Sequence, residues 1–245
     1  LSFIDFCANY LGIIGRTDII KRFGVAEASA SNDLSAYIKL APKNLQYDFK
    51  TKSHRATKQF KPVFSFPVIQ VLKALSSGFG DTLGQLSQSI IVSESAIALN
   101  QPNNEIVAQV TRAINLRKIV DLKYHSLSSG ETKRKIAPFA LVDSGLRWHV
   151  RAFDRKSKEF RDFVFTRMLD AKHTDEGTRT EEDEENDDFW NQTVTLELAP
   201  HPSNIAEKRS IELDYHMING AMEITVKKAV AGYLLRHWNV DSSPN

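Results

Sequence analysis

The chain has 245 residues, 42% of them hydrophobic, with 32 Lys and Arg against 30 Asp and Glu for a net charge of +2. That is enough apolar material for one to three cored domains, and with no uninterrupted apolar run near about 18 residues it excludes a membrane-spanning helix. The opening "LSFIDFCANYLGIIGRTD" lacks the basic start and small-residue cleavage site of a signal peptide, and the single cysteine, Cys7, excludes an internal disulfide, so a reducing cytoplasm is the expected compartment.

In residues 2–12, Phe3, Phe6 and Tyr10 recur at helical spacing and Gly12 is a stop. "RTDIIKRFGV" predicts a short helix capped at Thr17 or Asp18, with Ile19, Ile20 and Phe23 inward and Gly24 in the turn. Residues 26–40 predict a third helix, with Ala30, Leu34, Tyr37 and Ile38 as its apolar stripe. Two short helices joined at a glycine read as a helix-turn-helix. Small residues near the start of the second helix, Ala28, Ser29, Ser31 and Asn32, let it approach a groove floor closely. Ser29, Ser31 and Asn32 are therefore candidates for base edges, and Arg16 and Thr17 for phosphate. A generic three-helix core is the alternative for these helices taken alone.

The next segment favours the first reading. Residues 44–60 predict a β-hairpin, with Leu45, Tyr47 and Phe49 alternating on one arm and Ala56 to Phe60 returning. Residues 39–61 carry seven Lys and Arg and a single acid, Asp48. A cationic hairpin after a helix-turn-helix is the wing of a winged helix, and Lys50, Lys52, His54, Arg55 and Lys58 are its candidate phosphate contacts.

Residues 64–100 read as mainly helical, with Ile69, Leu72 and Leu75, then Leu83, Leu86 and Ile90, as buried stripes. "GFGDTLG" within them resembles a dinucleotide fingerprint but is one residue too long and has no preceding strand, so it reads as a loop. "NQPNNE" at 100–105 marks a domain boundary. An amphipathic helix follows, then four or five short strands with tight turns, the pattern of a small, strongly bent sheet or barrel. The acidic run 175–188 reads as a solvated linker. Residues 181–188, "EEDEENDD", alone hold seven acids and no base, so the rest of the chain carries 32 basic against 23 acidic side chains. The remainder predicts a β-α-β-α tail.

Residues 145–168, "GLRWHVRAFDRKSKEFRDFVFTRM", place five arginines, two lysines and a histidine in what reads as a buried hairpin. Cations there are costly without a negative partner. Strand alternation puts Arg147, His149 and Arg151 on one face and Trp148, Val150 and Ala152 on the other. Arg161 and Arg167 share a parity on the next strand. A register that joins both sets gives a phosphate-binding pocket, with hydroxyls from Tyr124 and Ser126. A register one residue away leaves ordinary salt bridges, Arg151 to Asp162 and Arg161 to Asp154.

At "RWHV" the segment 105–170 resembles the WYL domain, an Sm-like β-barrel whose name tripeptide here reads Trp148-His149-Val150. "YHS" at 124–126, Pro138, Arg147 and "RDFVFTRM" fit the same pattern. "HPSNIAEKRSIELDY" and "AVAGYLLRHWNVD" resemble the WYL C-terminal extension, and "NLQYDFKTKSHRATKQFKPVF" resembles the winged helix of BrxR- and CapW-type regulators of bacterial BREX and CBASS anti-phage operons. The resemblance implies an α+β multidomain fold: a winged helix-turn-helix at 1–66, a helical linker at 67–103, a ligand-sensing WYL barrel at 104–174, an acidic linker at 175–190 and a small α/β C-terminal extension at 191–245. It implies a homodimeric transcriptional repressor that binds a double-stranded operator, an inverted repeat, and whose barrel senses an anionic nucleotide or nucleic acid. Surfaces around Leu72, Leu75, Tyr233, Leu234 and Trp238 are candidates for the dimer contact.

Other classes find less support in the same residues. The seven histidines are scattered without ligand spacing and no P-loop, G-x-S-x-G elbow or H-E-x-x-H is present, so neither enzyme, metal nor cofactor is expected. An activator of the same architecture, or an RNA- or single-strand-binding module, remains open at this level.

Overall fold

The computed structural model describes residues 1–77 and 100–241. Helix α1 (Ser2–Phe6) runs into a π-helical turn, Cys7–Leu11, which ends at Gly12 with φ 76°. The left-handed backbone at Gly12 would strain any side chain there, and Leu116 would have to give way to it. Strand β1 (Ile13–Ile14) leads to α2 (Arg16–Phe23). The cap of α2 differs from expectation: Gly15 occupies the N-cap, and Asp18 accepts its N–H at 2.7 Å from inside the helix. Phe23 is 55% exposed, against an edge contact with Phe3, and is not part of the core.

Helix α3 (Glu27–Leu40) buries Ala30, Leu34 and Tyr37 at the helical spacing its sequence shows. Asp5, fully buried in α1, accepts the Tyr37 hydroxyl and the N–H groups of Val63 and Phe64 at 3.1 Å. A buried carboxylate is tolerable only when so satisfied. Here it ties α1, α3 and the chain beyond the wing into one body.

The wing pairs β2 (Leu45–Asp48) with β3 (Ser53–Ala56), and β1 adds to β3 in a three-stranded antiparallel sheet, order β1-β3-β2. The return arm thus begins at Ser53 and ends where it was expected to begin. Helix α4 (Val68–Ser77) buries Val68, Val71 and Leu72, while Ile69 is 38% exposed. Leu72 is therefore committed to the core of its own chain. Leu83, Leu86, Ile90 and "GFGDTLG" lie outside the described residues.

Helix α5 (Asn104–Leu116) is capped by Asn103, whose side chain accepts from Glu105 and Ile106 N–H. It docks on the π-helical turn. Thr111 Oγ1 donates to Tyr10 O at 2.8 Å, Asn115 Nδ2 to Leu11 O at 2.8 Å, and the buried Arg112 to the Asn9 carbonyl and side-chain oxygen. Burial without a carboxylate lowers the Arg112 pKa to about 10.

Five antiparallel strands follow: β4 (Lys118–Ser126), β5 (Gly130–Asp143), β6 (Trp148–Asp154), β7 (Glu159–Val164) and β8 (Met168–Gly177), in the order β7-β6-β5-β4-β8. Their pairing stops at β7 and β8, so the described sheet is open where a closed barrel was expected. A bulge between Pro138 and Ala140 bends the long β5.

The acidic run is solvated only in part: Glu181, Glu184, Glu185 and Asp188 are exposed, but two of its acids turn inward. β8 reaches Gly177, and two 3₁₀ turns and α6 (Asp188–Asn191) carry the chain back across the sheet, with Glu182 and Asp187 each only 2% exposed. The C-terminal part pairs β9 (Thr193–Leu198) with β10 (Met222–Lys227) and adds α7 (Lys208–Asp214) and α8 (Lys228–His237), the β-α-β-α order expected.

Candidate nucleic-acid interface and ligand pocket

On the winged helix, Ser29 and Asn32 are exposed near the start of α3, and Arg16 and Thr17 open α2. Arg16 is paired with Glu27 at 2.7 Å, and the Ser31 hydroxyl donates to Glu27 O at 3.0 Å within its own helix. At the wing, Lys50 and Lys52 are exposed at the tip, and no side-chain partner holds either among the described residues. Arg55 is paired with Asp48 at 2.7 Å and Lys58 reaches Asp175 at 3.4 Å. His54 is half-buried beside Tyr47, ring centroids 5.1 Å apart, and its Nδ1 has no partner. The predicted contacts therefore divide in two: Thr17, Ser29, Asn32, Lys50 and Lys52 are free to meet a ligand, while the rest are already engaged or partly covered.

The sheet resolves the arginines of 145–168. β6 pairs with β7 in the register His149↔Val164, Arg151↔Asp162 and Ala152↔Arg161. Residues directly opposite share a face, so Arg161 falls on the Ala152 side, away from Arg151. Its guanidinium pairs with Glu159 at 2.5 Å in the open. Arg151 is turned inward. It makes a two-pronged pair with Asp187 at 2.7 and 3.0 Å and reaches Asp162 at 3.3 Å. Burial alone would lower its pKa, and the two carboxylates more than reverse that. Arg155 likewise grips the buried Glu182 at 2.5 and 3.0 Å, and Arg117 pairs with Asp183. The negative partner that the buried cations require comes largely from the acidic run of the same chain.

What remains is a cavity of about 400 Å³ that brings Tyr124, Arg147, His149 and Arg167 together. Ser126 does not line it; its hydroxyl meets Ser128 at 3.2 Å at the end of β4. Arg147 is exposed and Arg167 half-buried, and neither has a side-chain carboxylate partner among the described residues. The Tyr124 hydroxyl accepts Val164 N–H at 3.2 Å and keeps its own proton to donate. His149 is 6% exposed, and its Nδ1 has no hydrogen-bond partner. Burial lowers its pKa, which disfavours the charged ring.

The other wall comes from α8, 66 or more residues downstream of Arg167: Tyr233, Arg236 and His237. Tyr233 lies against the His149 ring, centroids 4.6 Å apart, and donates to Asp162 at 2.8 Å. His237 covers Gly145, where φ is +78° and a side chain would collide with the imidazole. Sequence reading missed this wall because nothing local in "LLRHW" says which distant strand it faces. Asp162, the one carboxylate among the lining residues, is neutralised from beneath by Arg151. The lining is therefore cationic, with an aromatic platform of His149 and Tyr233.

A winged helix with free small polar residues on its third helix, joined to an antiparallel sheet that carries a cationic pocket, defines a DNA-binding regulator as a class. Family descriptions match along the chain: "BrxR transcriptional regulator winged helix-turn-helix domain" over residues 1–77, "WYL domain" over 105–173, and "BrxR transcriptional regulator, C-terminal dimerization domain" over 193–245. Proteins described as "DNA-binding transcriptional repressor CapW" are similar over nearly the whole length. Those from Escherichia coli and Pseudomonas aeruginosa are each 34% identical, covering 98% of this chain and 82% of theirs. That from Stenotrophomonas maltophilia is 32% identical, covering 99% and 83%. The chain belongs to the BrxR/CapW family of winged-helix, WYL-domain transcriptional repressors. Proteasome accessory factor B/C (PafBC) of Arthrobacter aurescens aligns at a TM-score of 0.31 and 17% identity, over 92% of this chain and 41% of that one, too loosely to bear on the site.

Proposed function

We propose that this protein acts in the cytoplasm by binding and not by catalysis, as a homodimer on an inverted-repeat duplex that controls a BREX- or CBASS-type defence operon. Ser29 and Asn32 read base edges, Thr17 with Lys50 and Lys52 holds phosphate, and an anionic nucleotide or short nucleic acid in the sheet pocket alters that binding. The observation that carries the sensor is the pocket itself: Arg147, Arg167 and Arg236 line it with a buried His149 whose Nδ1 has no hydrogen-bond partner, and the only carboxylate in the lining is already neutralised. Arg151 supports this site from below, and Arg161 plays no part in it. A ligand that bridges the sheet and α8 would bias how the C-terminal domain sits on the sheet, which is how occupancy could reach the operator.

The test uses duplexes enriched by the intact protein from a randomised pool, with mono- and oligonucleotides titrated in. Arg147→Ala with Arg167→Ala should leave duplex affinity unchanged and abolish the nucleotide's effect on it. Unchanged nucleotide response in that double variant would remove the pocket from the reading. Failure of the intact protein to retain any duplex, alongside retention of single strands, would replace the operator reading with a single-strand module.

A further inference from the structure

At the far end of the wing sits a side chain that the fold leaves unused. Phe49 is 85% exposed, in the turn between β2 and β3. It is the outermost of three rings in a row: His54 faces Tyr47 across the strands at 5.1 Å, and Tyr47 meets Phe49 edge-on at 4.9 Å. The inner ring is half-buried and Tyr47 is 41% exposed, so the row leads from the domain body outward to the tip. Tyr47 and His54 are directly paired across the hairpin and so share one face, while Asp48, on the other, is occupied by Arg55 and by the Lys50 N–H at 2.9 Å. The tip therefore offers an apolar ring backed by stacked rings and flanked by the free cations Lys50 and Lys52, with its one nearby carboxylate neutralised.

An exposed phenylalanine forgoes the gain of burial, and a second copy or a generic protein partner would not need two lysines beside it. A nucleic-acid groove satisfies both halves of this surface. Phosphates lining a minor groove neutralise the lysines, and the ring enters between base pairs or lies on sugar faces, as apolar wedges of groove-binding proteins do. We infer that Phe49 is the wing's wedge into duplex DNA, held at its angle by Tyr47 and His54, and that it adds affinity through contact with bases or sugars and through deformation of the duplex. This rests on the proposed binding of an operator duplex and adds a residue and a mode to it. Specificity of this kind reads the ease with which a step unstacks, in addition to any base edge that α3 touches.

The experiment takes the full-length protein and a duplex that it enriches from a randomised pool, with a donor and an acceptor dye at the two ends. Phe49→Ala is expected to lose about tenfold in affinity while the slope of log affinity against log salt stays unchanged, because every phosphate remains neutralised as before. Energy transfer in the complex should fall as the duplex straightens, and Phe49→Trp should restore both. Melting temperature should be the same in all three proteins, since the ring is outside the core. Equal affinity for Phe49→Ala and the parent would overturn the inference, as would a loss of affinity that lowers the salt slope or a change of mass in sedimentation that points to a contact between copies. If the parent itself enriches no duplex, the operator reading fails first, and Phe49 with it.

Discussion

Arg151 on β6 and Arg167 in the 3₁₀ turn after β7 are grouped by sequence, yet the structure assigns them opposite duties. Arg151→Ala would leave Asp187, 2% exposed, without its cation, and breaking a buried pair from one side costs about 3–5 kcal/mol. Its melting temperature should drop steeply. Arg167→Ala, with no carboxylate partner to orphan, should melt like the parent and lose only nucleotide response. Thermal denaturation of the two side by side separates a supporting residue from a binding one; equal melting points would contradict the assignment. His149 makes a second claim at this scale. Burial lowers its pKa, so in a window below about 6.5 the unfolded chain takes up a proton that the folded chain does not. Stability is present above that value and is lost as pH falls through it. His54 and His173 are lowered by burial as well, so the His149 share is the difference between parent and His149→Gln in denaturation midpoints across that range. An anion in the pocket favours the protonated ring, and nucleotide affinity should therefore rise as pH falls. A pH-independent affinity would place the ligand elsewhere. The residue types of the pocket were legible in the sequence, because arginines in an apolar hairpin demand a partner. Their grouping was not, since it depends on register, and the pairing Arg151↔Asp162 assigns Arg151 to support and sends Arg161 out to solvent.

Among the elements, the return of residues 178–191 across the sheet is the least expected. A run of seven acids is compositionally a solvated segment, yet Glu182 and Asp187 are buried against Arg155 and Arg151, and Arg117 meets Asp183. Composition cannot show that two strongly charged segments far apart in the chain cancel each other. Glu182→Gln keeps the shape and removes the charge that Arg155 grips. It should cost about 1.5–3 kcal/mol, the range for a hydrogen bond to a charged group, and hydrogen exchange should speed up first at 178–188. Exchange confined to the C-terminal domain would count against the run being anchored by that pair. The wing is the contrasting case. Its cations, its strands and its place after three helices were all readable locally, because a hairpin's pattern lies in a dozen adjacent residues. Only the extent of the return arm and the engagement of Arg55 and Lys58 needed coordinates. Lys50→Ala with Lys52→Ala should weaken binding to specific and random duplexes alike and lower the log–log salt slope by about 0.9 for each phosphate no longer neutralised.

For the molecule as a whole, the C-terminal domain is incomplete by itself. None of α7 and α8 is buried, β9 and β10 alternate between half-buried and exposed, and Leu213 and Ile218 are 62% and 72% exposed. A two-stranded ribbon with two short helices cannot cover its own apolar faces, and the family match over 193–245 is to a dimerization domain. Leu213→Asp with Ile218→Asp should sediment as a monomer and bind a two-half-site duplex no better than a single half-site; a persisting dimer would shift the contact to another surface. The opposite end of the molecule is over-connected. One continuous set of buried side chains runs from Ile4 and Tyr37 through Val107 and Val110 to Val150 and Phe163, and α5 adds hydrogen bonds to three successive carbonyls, Asn9, Tyr10 and Leu11. The winged helix and the sheet therefore do not constitute two independently melting bodies. They share a continuous core, so a nucleotide that slows the opening of β6 is expected to slow amide exchange in α3 as well, across the linker that separates them in sequence. An anion held at the sheet would then reach the helices of the winged helix through side chains already packed together, with no hinge between them.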